Sequence, residues 1–153
     1  MSIEHANITD PNIHECKGFA AASANTVRVA NGVGGASMLP YVRQVVVDAY
    51  ISAIGTAGTY YVATPYAGTI DNIYCVHDLL TDTADTILSF QINGVAVTNG
   101  NITIANGTAA GTVTSSTPSA NNSVTAGGKI AIITDGGTGA SPNARISFAI
   151  TRS

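Results

Sequence analysis

The stretch that most restricts the fold is Leu88-Ser89-Phe90-Gln91-Ile92-Asn93-Gly94-Val95-Ala96-Val97. Leu88, Phe90 and Ile92 fall on one side of an extended chain and Ser89, Gln91 and Asn93 on the other, because successive strand side chains point to opposite faces. Asn93-Gly94 then supplies two residues that tolerate the left-handed backbone of a tight hairpin turn. The pattern recurs. Asn99-Gly100 and Asn106-Gly107 bracket Ile102-Thr103-Ile104, and residues 69–77 set Ile73, Cys75 and His77 opposite Tyr74 and Val76. Near the end, Ile146, Phe148 and Ile150 alternate with Arg145, Ser147 and Ala149.

The remaining segments agree. Residues 42–54 are rich in Val, Ile and Tyr, and β-branching in Val45-Val46-Val47 favours strand over helix. A turn at 55–58 precedes a short strand at 60–63, which Pro65 stops. Residues 111–114 and 129–134 read as strands, 117–123 as a polar loop with Pro118, and 135–143 as a Gly-rich loop. One short helical turn is admissible over 78–82. Roughly eight or nine short strands at about 8–12-residue spacing predict an all-β fold, an antiparallel β-sandwich of jelly-roll type.

Residues 1–40 are different. Asp10-Pro11, Lys17-Gly18, an Ala/Ser run at 20–24 and Gly32-Val33-Gly34-Gly35 are breakers, and one strand, Thr26 to Ala30, stands among them. We expect an extended N-terminal arm at 1–40 and the sandwich at 41–153.

Composition narrows the function classes. Charged residues make up 10% of the chain, with 6 Lys and Arg against 9 Asp and Glu and a net charge of −3. An ordinary domain carries about 25%. A nucleic-acid binder needs a basic footprint, so that partner is not expected. Hydrophobic residues at 45% argue against disorder. No apolar run approaches the ~20 residues of a membrane span, and the start at Met1-Ser2-Ile3-Glu4-His5 lacks the pattern of a signal peptide. Cys16 and Cys75 are expected to be reduced, independent thiols.

Chemistry-bearing motifs are sparse. His14-Glu15-Cys16 lacks the further ligands at zinc spacing, and Asp78, Asp82 and Asp85 lack the central Gly and terminal Glu of a calcium loop, so Asp82 or Asp78 reads as the cap of a short turn. There is no GxSxG, and the two glutamates, Glu4 and Glu15, both lie in the arm. Residues 31–35 loosely match GxGxxG, but Pro40 and more strand follow instead of a helix. We expect no enzyme activity, no cofactor and no metal.

The arm text Asp10-Pro11-Asn12-Ile13-His14-Glu15-Cys16-Lys17-Gly18 and Val27-Arg28-Val29-Ala30-Asn31-Gly32-Val33-Gly34-Gly35-Ala36-Ser37 resembles the amino-terminal segment of tailed-bacteriophage capsid decoration (cement) and head-fibre proteins. There an H-E-x-K-G element precedes a V-x-V-A-x-G-x-G stretch. Gly68-Thr69-Ile70, residues 87–94, residues 102–106 and Val124-Thr125-Ala126-Gly127-Gly128 are similar to the sandwich of the same proteins. The resemblance implies a structural virion protein. It would sit on the outer capsid surface of a particle made in a bacterial host cytoplasm, clamping neighbouring major capsid proteins. The arm residues it marks as capsid contacts are Pro11, Ile13, His14, Lys17, Gly18, Phe19, Val27, Val29, Gly32 and Gly34. A fibre module that binds a receptor or glycan is the alternative, with Tyr60, Tyr61 or Tyr66 stacking on sugar rings. Uncovered strand edges predict a homo-oligomer, a trimer or else a dimer. Residues 18–26 and 98–128 carry no charge and are the expected contact surfaces.

Overall fold

The structure is a computed structural model that describes residues 26–30, 36–40, 44–79, 83–137 and 142–153. The chain divides into two compact units, Met1–Val42 and Arg43–Ser153.

In the first unit, β1 (Thr26–Ala30) pairs antiparallel with β2 (Ala36–Pro40), Thr26 opposite Pro40 and Ala30 opposite Ala36. The sequence reading expects β1 and not β2. Ala-Ser-Met-Leu-Pro has no β-branched residue, so its strand state comes from pairing with β1 rather than from propensity. Pro40 closes the strand, a place where a missing N–H costs no interior ladder bond.

Among its described residues the second unit holds ten strands. They are β3 (Gln44–Ile51), β4 (Gly58–Ala63), β5 (Gly68–His77), β6 (Thr86–Ile92), β7 (Val95–Ala96), β8 (Ile102–Ile104), β9 (Val113–Ser116), β10 (Ser123–Val124), β11 (Lys129–Thr134) and β12 (Ala144–Arg152). One sheet runs β10-β5-β12-β3, with β9 also on β5. The other runs β4-β11-β6-β7, with β8 also on β6. β9 and β10 pair with different stretches of β5, as do β7 and β8 with β6, so each couple is one interrupted edge strand. Treated so, the first strand of the body pairs with the last, the second with the seventh, the third with the sixth and the fourth with the fifth. A long antiparallel ribbon wrapped round one core is a jelly roll. The body is an all-β antiparallel sandwich of that type, and no helix occurs among the described residues.

The alternation read from sequence is the alternation of burial. Leu88, Phe90 and Ile92 are buried, as are Ile146, Phe148 and Ile150. Phe90 from one sheet meets Phe148 from the other edge-to-face, with ring centroids 5.5 Å apart and planes at 89°. Asn93 (φ 50°) and Gly94 (φ 88°) take the left-handed conformations that a two-residue hairpin turn demands. At Ala149/Ile150 the β5–β12 register shifts by a bulge, and the Thr151 hydroxyl there donates to Asp71 Oδ2 at 2.5 Å.

Two local expectations are corrected, and a third falls mostly outside the described residues. The strand placed at 111–114 lies two residues later, because Gly111 (φ 80°) is part of the turn. The polar loop at 117–123 ends in β10, whose register is set by Thr69 and Gly68. The helical turn at 78–82 begins as a bend at Asp78 and Leu79, and residues 80–82 lie outside the described residues.

Cys75 is free and buried, and burial pushes its thiol up to about 12. A buried thiol is a poor nucleophile because the thiolate is the reactive form. In a Cys16→Ser chain, Cys75 is expected to resist a thiol reagent at pH 8 in the native state and to label fully in denaturant. Rapid native labelling would show that this part of the core opens.

Candidate functional site

The outer face of the sheet containing β3, β12, β5 and β9 is the most distinctive surface of the body. Strand register puts Tyr50, Arg145, Val76 and Val113 in one row across four strands. The next row is Asp48, Ser147, Tyr74 and Ser115, and the third is Val46, Ala149 and Asn72. These rows spread the side chains over about 14 Å across the strands. Val46, Tyr50 and Val113 are 60%, 57% and 65% exposed, and Tyr74 is exposed beside them. The Arg145 guanidinium lies over the Tyr50 ring, 5.6 Å from its centroid, and the Ser147 hydroxyl donates to Asp48 Oδ1 at 2.6 Å. Two tyrosines, three valines and an arginine, set among Asp48, Ser147, Ser115 and Asn72, give this face the aromatic and arginine content enriched at protein interfaces.

Sequence reasoning missed this face. Val46 sits inside the run Val45-Val46-Val47, whose β-branching marks it as strand without saying which face is buried, and β3 is an edge strand whose alternate residues face outward. The signal available in sequence was Tyr50 in phase with Val46 and Asp48.

The tyrosines considered for sugar stacking are dispersed. Tyr60 is half-buried and donates its hydroxyl to the Ser52 carbonyl at 2.7 Å. Tyr61 is exposed, with the Lys129 ammonium 5.2 Å from its ring centroid, and Tyr66 carries the Arg152 guanidinium at 4.6 Å. A cation over one ring face leaves less of it for a sugar.

The aspartates at one end of the sandwich act as loop fasteners. Asp78 accepts from the Asn143 backbone N–H and from its side-chain amide, both at 2.7 Å. Asp85 accepts from the Asn106 N–H, and Asp135 from the N–H groups of Ile87 and Gly137. The side-chain amide of Asn143, then its backbone N–H, hold the Asp78 carboxyl below its ordinary value. A depressed carboxylate contributes stability that is complete above its unfolded pKa, about 3.9, and is lost as pH falls through the lowered folded value. Protection of the Asn143 amide from exchange is therefore expected to persist at pH 5 and to fail only in stronger acid. Asp78→Ala should abolish it at neutral pH with little change in global stability. Unchanged exchange in that variant would refute the fastening role.

His77 is buried, and its Nδ1 lies 2.7 Å from the Leu79 carbonyl. His77 Nε2 and Thr86 Oγ1 are buried without a hydrogen-bond partner. Among the described residues, no three His, Cys, Asp or Glu side chains converge to hold a metal ion. No helix among them is long and apolar enough to cross a membrane.

Of the arm residues singled out in sequence, Pro11, Ile13, His14, Lys17, Gly18, Phe19, Gly32 and Gly34 lie outside the described residues, as does Cys16. Val27 and Val29 lie in β1, opposite Leu39 and Ser37.

No known protein family matches the chain, and no curated protein matches it in sequence. Among solved structures it is similar to the P-domain of Macrobrachium rosenbergii nodavirus, at 15% identity and a TM-score of 0.32 over 72% of this chain and 94% of that one. So loose an overlap decides nothing about function, and the jelly-roll assignment rests on strand pairing alone.

Proposed function

We propose that the chain is a structural virion protein of a tailed phage. In this reading the N-terminal unit grips neighbouring major capsid proteins on the outer surface of the head, and the jelly roll stands away from the shell. Jelly rolls occur in viral capsid proteins, lectins and cupins, so the fold alone does not choose among these roles. The observation that carries the reading is the division of the chain at Val42. The body has a full core of its own. The small N-terminal unit contains the H-E-x-K-G and V-x-V-A-x-G-x-G text and a charge-free run at 18–26. Ordering such a segment costs about 1–2 kcal/mol per residue, which burial against a partner must offset. A protein that binds only the assembled shell stabilises it by mass action.

The test mixes undecorated heads of the encoding phage with the full chain or with a chain lacking residues 1–42. The full chain is expected to saturate the heads, and the truncated chain to lose at least nine-tenths of its occupancy while keeping the β-sheet spectrum of the body. Normal decoration by the truncated chain would overturn the arm mechanism. The second reading is a glycan- or receptor-binding fibre module, which would have to use the one ring face of the exposed Tyr61 that Lys129 leaves open. That reading requires host-cell adsorption that survives the same deletion.

A further inference from the structure

From the pattern on the outer face of the β3–β12–β5–β9 sheet, we infer that this face binds a second copy of the same chain about a two-fold axis. The inference is independent of the decoration reading, since it concerns the body alone.

The three rows described above contain one cation, Arg145, and one anion, Asp48. Arg145 pairs across strands with Tyr50, and Asp48 with Ser147, so the two charges are diagonal neighbours, about 7–8 Å apart between Cα atoms. Arg145 stacks on Tyr50 and Asp48 accepts from Ser147. Strands are spaced about 4.8 Å apart and alternate residues along them about 6.8 Å, which places every side chain of the face on a grid.

A two-fold axis lying in the face and running diagonally from Tyr50 towards Tyr74 exchanges the positions of Arg145 and Asp48. Two copies related by it therefore bring Arg145 of each against Asp48 of the other, twice per dimer. The same operation sets Val113 and Val76 of one copy against the exposed Val46 of the other, beside the already buried Ala149. Tyr50 and Tyr74 lie near the axis, where each meets its own equivalent. Charge meets opposite charge and apolar meets apolar in a single placement, as an isologous contact requires. The strands of the two copies then cross at roughly 70°, nearer the orthogonal than the aligned class of sheet-on-sheet packing. A two-fold contact also decides between the expected oligomers in favour of the dimer.

The test uses the full chain in a Cys16→Ser background, with sedimentation velocity over about 1–100 μM. The parent chain is expected to associate to a dimer. Arg145→Asp and Asp48→Arg each create two like-charge contacts and should weaken dimerisation roughly tenfold to thirtyfold. Mixing the two variants should restore the dimer as a heterodimer, because both contacts are then opposite in sign. A parent chain that stays monomeric, single variants that associate normally, or a mixture that fails to recover would each overturn the inference. Unchanged circular dichroism in every variant separates lost association from misfolding.

Discussion

Replacing Phe148 by Ala is expected to destabilise the body by about 3–5 kcal/mol. The ring is fully buried on β12 and meets Phe90 of β6 edge-to-face at 5.5 Å, so it bridges the two sheets at the centre of the jelly roll. The body has no Trp, and the large side chains fully buried among its described residues are two Phe, ten Ile and one Leu. Branched aliphatic neighbours held in a sheet do not collapse readily into the space a phenyl ring leaves, which places the cost toward the upper part of the range. Equilibrium urea denaturation measures it. A double-mutant cycle with Phe90→Ala should return a coupling of about 0.5–1.5 kcal/mol for the ring pair. A loss below about 1 kcal/mol for Phe148→Ala would mean that the sheets are not packed as described.

Gly68→Ala carries the next largest effect, about 2–3 kcal/mol. Gly68 begins β5 opposite Arg152 of β12, and Val124 of β10 pairs with it on the other side. A Cβ at Gly68 would run into the Thr151 carbonyl oxygen, lie 2.8 Å from Ile150 Cγ2 and 3.0 Å from the Arg152 Cα. Two of these three contacts are backbone, so no rotamer change relieves them. The β5–β12 pairing beside the bulge must shift instead. Gly94→Ala is the contrast: nothing lies within 4 Å of its added Cβ, and its φ of 88° limits the loss to conformational strain of about 1 kcal/mol. Equal losses at the two glycines would remove the case for close backbone approach at Gly68.

The strands of the body were legible because burial on one face imposes a period of two. Leu88-Phe90-Ile92 and Ile146-Phe148-Ile150 declare their inner face outright, and Asn93-Gly94 declares its turn. Strand order was less so. Nothing local tells β12 to insert between β5 and β3, or β11 between β4 and β6, since those partners are distant in sequence. The jelly roll was therefore expected as a class, while its pairings came from the structure. β2 and β10 were missed for a related reason: Ala36–Pro40 and Ser123–Val124 owe their extended state to a partner strand. The outer face built on Val46, Tyr50, Tyr74 and Val113 was not visible either. Its members are spread over three strands, and only register brings them together.

The low charge of the chain has two consequences in this account. The run 18–26 suits burial against another protein, because no charge has to be desolvated. On the body, one Arg and one Asp among apolar side chains give a face that can meet its own copy without net repulsion.

The most direct measurement of the central claim is an electron cryomicroscopy reconstruction of the encoding phage at side-chain resolution. Jelly-roll density is expected on the outer surface of the head, with residues 10–37 running between major capsid proteins. Jelly-roll density confined to the tail or its fibres, or heads with the body bound through the sandwich and residues 10–37 free of capsid contact, would contradict it.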